Sequence, residues 1–130
     1  MSEEREEDFI KIFRFTDDVS KEGRVLSTAK VGDIYMSRLT IEPGIVTGNR
    51  FHKDTMRMFY VEKGKVLAIF EHVDTKKRQE VYMEPGRHAI HVPTKVAFAT
   101  KNVGKENAVI VLFTNNPSRS EDNFHYELLD

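Results

Sequence analysis

Two stretches of the chain divide their residues between two faces with a period of two. Tyr35, Ser37, Leu39 and Ile41 stand against Ile34, Met36, Arg38 and Thr40, and Arg57, Phe59 and Val61 against Met58, Tyr60 and Glu62. In an extended strand such residues point to opposite faces. Similar β-forming runs at 9–15, 24–30, 65–73, 79–83, 88–92, 96–100 and 108–114 predict further strands, and the tail 124–129 a last strand or cap. Turn residues punctuate them: Thr16-Asp17-Asp18, Lys21-Glu22-Gly23, Glu42-Pro43-Gly44, Lys63-Gly64-Lys65, the tip 74–78 and Glu84-Pro85-Gly86. There is no amphipathic helix of more than a few turns and no repeat. Short strands with frequent turns predict an all-β fold, a β-sandwich or barrel of antiparallel sheets. Val61, Leu67, Ile69, Ile90, Val92, Val111 and Phe113 are expected among its buried residues.

Composition narrows the class. A length of 130 residues suits one domain, expected over 9–130 behind a charged, solvated leader at 1–8. The absence of cysteine excludes disulfides and thiolate metal sites, and a cytoplasmic location is the default expectation. No apolar run approaches the roughly 20 residues of a membrane span. The opening MSEEREEDF has neither the basic nor the apolar region of a signal peptide. Twenty basic against twenty-one acidic residues, without a basic stripe, give no reason to expect a nucleic-acid partner. The apolar run at 9–15 would be a sticky edge if left exposed, so a homodimer is expected.

The chemistry concentrates between Gly44 and Gly64. By the period of two, Arg50 and His52 share a side, and Arg57 shares the apolar face of Phe59 and Val61. A guanidinium turned inward costs several kcal/mol unless paired. Three resolutions are open: acids such as Asp33, Glu42 or Glu71 fold over the arginines, the barrel binds an anion, or the arginines lie at the rim in water. The planar fork of arginine suits carboxylate and phosphate. Beside two cations His52 should be neutral more readily than a free histidine, and a neutral imidazole can act as general base. His88 and His91 are three apart and face opposite sides of a strand, which speaks against a shared metal; His72 and His125 read as solvated. Tyr35, Tyr60 and Tyr82 each remain open as a proton donor.

The glycine and proline spacing carries a resemblance. Gly44 is followed after five residues by Arg50, then His52, then after four by Arg57 and after six by Gly64. Gly86 is followed after six by Pro93, then by Lys95, Phe98 and Asn102. Both spacings resemble the two motifs of the cupin superfamily, whose metal-binding members place their ligands at the positions here held by Arg50, His52, Arg57 and Phe98. The stretches VTGNRFH, FYVEKGK, KNVGKENAVIVLF and NPSRSEDNFHYELL are similar to the cupin module at the C-terminal end of capsular-polysaccharide biosynthesis proteins of the nucleotide-sugar reductase type. Related sugar-nucleotide cupins work without metal, using a histidine base and an arginine near the phosphates.

The resemblance implies a jelly roll. With three of four ligand positions exchanged it does not imply the family's metal, and no cofactor is expected. The leading expectation is a metal-independent cupin binding an anionic small molecule, a sugar nucleotide or sugar acid. Arg50, Arg57 and Phe98 would bind it and His52 would be catalytic in epimerase or isomerase chemistry. The alternatives are a non-catalytic cupin module for ligand sensing or assembly, and a conventional metal cupin.

Overall fold

The computed structural model describes residues 2–3, 9–115 and 122–130. Its strands are β1 (Ser2–Glu3), β2 (Ile12–Phe13), β3 (Thr16–Asp18), β4 (Arg24–Val31), β5 (Ile34–Ile41), β6 (Val46–Phe51), β7 (Arg57–Lys63), β8 (Val66–His72), β9 (Arg78–Met83), β10 (Ala89–Val92), β11 (Val96–Asn102), β12 (Ala108–Thr114) and β13 (Phe124–His125). One antiparallel sheet runs β10-β7-β12-β5-β4-β3 and faces a second, β13-β6-β11-β8-β9; β1 and β2 pair separately. This is the expected jelly roll. No helix among the described residues is long and apolar enough to cross a membrane.

The core is built from one face of each strand. Leu39, Ile41, Phe59, Val61, Ile110 and Val92 of the first sheet meet Val66, Ala68, Phe70, Met83 and Phe98 of the second. The alternating strands β5 and β7 present the expected faces to it. The unbroken apolar run of β12 does not: Ala108 and Ile110 are buried in the core, whereas Val111 and Phe113 lie on the outer face, part-exposed. A run without polar interruptions carries no phase, so the residues facing the core could not be chosen from it. Leu67 also faces outward and is part-exposed, and Ile90 is partly buried against the core. Ile69 is buried, at 2% exposure, but on the outer face of its sheet. There the C-terminal segment passes over: Arg78 of β9 donates to the Leu128 carbonyl, and Tyr126 donates its hydroxyl to Glu71 of β8.

The N-terminal region departs from expectation in two ways. Only Ile12–Phe13 of the run 9–15 is in a strand, while Thr16–Asp18, expected as a turn, pairs with β4. Phe9, Ile10, Ile12 and Phe15 are exposed. The expectation of a solvated leader falls on residues outside the described ones, except Ser2–Glu3, whose backbone pairs with Ile12–Phe13.

Gly44 to Gly64 forms a strand–loop–strand unit, and its two strands lie in opposite sheets. β6 belongs to the second sheet and β7 to the first, so the loop 52–56 crosses the barrel mouth. β6 carries a bulge against β11: Phe98 is opposite Arg50, Ala99 is opposite Gly48, and Asn49 is the extra residue, at φ 57°. Gly48 has φ 94°, and a Cβ there would lie 2.8 Å from the Phe98 carbonyl oxygen, so only glycine fits. The bulge keeps Arg50 beside Phe98 and turns the Asn49 amide outward. Asn49 accepts from the backbone N–H groups of Leu128 and Leu129 and donates to the Leu129 carbonyl.

Candidate functional site

A cavity of about 460 Å³ opens between the sheets. Its apolar wall includes Leu26, Leu39, Phe59, Phe98, Ile110 and Leu112, with Tyr35, Ser37, Thr47 and Thr100 as polar members. Four cations reach it: Lys21, Arg24, Arg50 and Arg57. Among the described residues Asp18 is the one carboxylate in its lining. It lies 3.8 Å from Arg24 and also accepts the backbone N–H of Ser20.

The cations act on one another. The positive charge of Arg50, then burial and Arg24, push the Lys21 ammonium below its usual range. Burial and Arg24 lower Arg50, and burial with Arg50 brings Arg57 down to about 10. Four basic side chains gathered against one carboxylate create a potential that favours an anion. The Nε of Arg24 is buried without a hydrogen-bond partner among the described residues. An orphaned buried donor costs free energy that an acceptor supplied by a ligand would recover.

The acids named as one possible cover for the arginines are elsewhere. Asp33 and Glu42 are exposed, and Glu71 is engaged with Arg78 and Tyr126 on the outer face. Arg50 has no ion pair among the described residues; its Nε reaches the Gly48 carbonyl at 3.3 Å. Of the three tyrosines left open, Tyr35 lines the cavity, and Tyr60 and Tyr82 are exposed outside it.

Arg50, Arg57 and Phe98 come together as expected. The Arg57 guanidinium lies 4.6 Å from the Phe98 ring centroid, over its face. His52 is 3% exposed and does not itself line the cavity. Its Nδ1 is 2.5 Å from the Asp122 carbonyl oxygen, and its Nε2 is 2.9 Å from Arg57 Nη2. Burial lowers its pKa below the ordinary value and the nearby Arg57 charge adds to this, against the opposing Asp122 contact. His88 and His91 are exposed and His125 pairs with Glu127 at the surface, while the His72 ring accepts from the N–H groups of Asp74 and Thr75.

Three residues of the site are not legible in the strand pattern. Lys21 and Arg24 lie in and next to a turn, and nothing local says that they face a cavity. Asp122 is buried beneath the loop 52–56, where its carboxylate accepts from the N–H groups of Lys53 and Asp54 and the hydroxyl of Thr55. The tail motif around Asp122 was the only signal for it. Lys95, at the second motif's glycine position, takes a left-handed φ of 64°, the conformation that a glycine would favour there.

The donor set at positions 50, 52, 57 and 98 does not fit a divalent metal. Two guanidiniums repel one, a phenyl ring has no lone pair to give, and both nitrogens of the remaining imidazole are engaged. Among the described residues no group of three or more His, Cys, Asp or Glu could hold one elsewhere.

The model of a family described as polysaccharide biosynthesis C-terminal domain matches residues 19–125. A comparison with curated proteins found no significant match. Among solved structures, the capsular polysaccharide assembling protein CapF from Staphylococcus aureus superposes with a TM-score of 0.80 at 23% identity, over 88% of this chain and 33% of that one. Recombinant oxalate oxidase in complex with glycolate gives 0.65 at 22%, over 76% and 54%. Bacillus subtilis oxalate decarboxylase, with its Mn(II) centres, gives 0.73 at 17%, over 85% and 30%. The chain thus spans about a third of CapF. These likenesses establish the fold as a cupin jelly roll.

Proposed function

Because the chain belongs to the polysaccharide biosynthesis C-terminal domain family, we propose that it is a metal-independent cupin binding an anionic small molecule of carbohydrate biosynthesis, a sugar nucleotide or a sugar acid. The observation that carries this reading is the lining of the cavity, four cations against one carboxylate among the described residues. The apolar side of a sugar can pack on Phe98 and Phe59 while the guanidiniums take a phosphate or carboxylate.

Binding without turnover is the reading we favour. His52 can serve as a base only if Arg57 releases Nε2, since that lone pair is the acceptor of the Arg57 N–H. Of Tyr35, Tyr60 and Tyr82, Tyr35 is the one that lines the cavity, which makes it our candidate proton donor if turnover occurs.

The test is a thermal-shift screen of sugar nucleotides, sugar phosphates and uronic acids, followed by calorimetry on Arg24→Ala, Arg50→Ala and Arg57→Ala. A lost charged hydrogen bond of about 1.5–3 kcal/mol corresponds to roughly ten- to a hundredfold in affinity. Each variant should weaken a hit by about that factor. If no anion stabilises the wild type, or the three variants bind a hit unchanged, the reading is wrong.

A further inference from the structure

We infer that His52 is a positioning residue, a hydrogen-bond clamp that holds the Arg57 guanidinium against Phe98 and at the cavity wall. The chemistry of its two partners assigns the tautomer. A backbone carbonyl can only accept, so the nitrogen facing Asp122, Nδ1, carries the proton. A guanidinium can only donate, so Nε2, facing Arg57, is bare. The neutral Nδ1–H imidazole is therefore the one form that satisfies both contacts. It joins the loop carried by Asp122 to the Arg57 guanidinium at the cavity wall.

The assignment does not depend on what the cavity binds, although the ligand arm of its test rests on the anion-binding reading. Around the ring, among the described residues, stand Arg50 of β6, Arg57 of β7, the Phe98 ring of β11 with centroids 5.9 Å apart, and the Asp122 carbonyl and carboxylate; the Lys95 backbone N–H donates to the His52 carbonyl. An imidazolium would set an N–H against an N–H at 2.9 Å and a third positive charge beside Arg50 and Arg57. Either effect breaks the clamp.

Two substitutions separate the halves of the contact. His52→Gln keeps an acceptor within reach of Arg57. His52→Asn keeps an amide donor for the Asp122 carbonyl but falls short of Arg57. In long-range ¹H–¹⁵N spectra of the labelled full chain at pH 7.5, His52 should show the Nδ1–H tautomer. Arg57 should give separate, slowly exchanging Nη signals. Those signals should collapse in His52→Asn, persist in His52→Gln, and collapse in the wild type as His52 is titrated. For the ligand arm sulfate is the probe, because it stays dianionic over this range. Its dissociation constant should rise about tenfold in His52→Asn, the loss of roughly one hydrogen bond's worth of ordering. In His52→Gln it should stay within about threefold of the wild type and be flat with pH. An Nε2–H tautomer, or Arg57 signals unchanged in His52→Asn, overturns the clamp. If sulfate fails to bind the wild type, the anion-binding reading falls, and the Arg57 signals still decide the clamp.

Discussion

Asp122→Ala tests how the loop at the cavity mouth is held. The wild-type carboxylate accepts the Lys53 N–H at 2.7 Å, the Asp54 N–H at 3.2 Å and the Thr55 hydroxyl at 2.7 Å. Lys53 and Asp54 are exposed, so water can take over their amides. Thr55 is 2% exposed and would be left without an acceptor. A stranded buried hydroxyl costs about 1–3 kcal/mol, and with the loss of the charged acceptor the total comes to about 2–4 kcal/mol. At roughly 4 °C per kcal/mol for a domain of this size, the melting temperature should fall by about 8–16 °C. Scanning calorimetry at pH 7 measures it. The pH dependence has a definite sign. Burial alone would raise the Asp122 pKa, but hydrogen bonds from Thr55, Lys53 and Asp54 outweigh it and hold the group below 3.8. Its stabilisation is therefore complete above the unfolded value and lost as pH falls through the folded one, so wild type and variant should converge only below about pH 4. A drop of under 2 °C at pH 7 would refute the reasoning.

Other outcomes follow from single features. Gly48→Ala combines a positive φ with a clash on the Phe98 carbonyl and should cost roughly 2 kcal/mol or more in a urea melt; a neutral result would mean that the bulge relaxes freely. His52, whose pKa is lowered by folding, contributes stability that is full above its ordinary value near 6.5 and lost as pH falls from there through the folded value. The wild type should therefore lose melting temperature between pH 7 and pH 5 more steeply than His52→Gln, and parallel curves would contradict this. The exposed side chains of Phe9, Ile10, Ile12 and Phe15 lead us to expect a homodimer; a monomer in sedimentation at micromolar concentration counts against it. Elemental analysis should find no stoichiometric metal that His52→Ala removes.

The period-two strands made the fold legible, because Arg38 and Thr40 on β5 and Glu62 on β7 mark one face as wet and leave the other for the core. Arg57, Phe59 and Val61 were placed correctly on that ground alone, as were Tyr35, Ser37, Leu39 and Ile41. Val111 and Phe113 were misplaced because β12 has no such marker. The run 9–15 was read as one strand from β-propensity, which measures fit to a neighbour that most of this run does not have. At the site, the two arginines and Phe98 were reachable through motif spacing. Lys21, Arg24 and Asp122 were not, since their roles arise from contacts far apart in the chain, such as the 70 residues between His52 and Asp122. The engagement of the His52 lone pair by Arg57 likewise needs the three-dimensional arrangement.

The pairing of β13 with β6 has a consequence for how the molecule keeps to itself. Without Phe124–His125 beside it, β6 would be the outermost strand of its sheet, offering unpaired amides and carbonyls to any extended chain that came near. The tail continues that cover past the strand: the Tyr126 N–H donates to the Asn49 carbonyl, and Phe124 stacks on Phe51 with centroids 5.2 Å apart. Two residues of regular pairing and a few side-chain ties thus stand between a closed wall and an open template for aggregation. Damage to this segment would show first as lost solubility, with cloudy samples before any lost affinity.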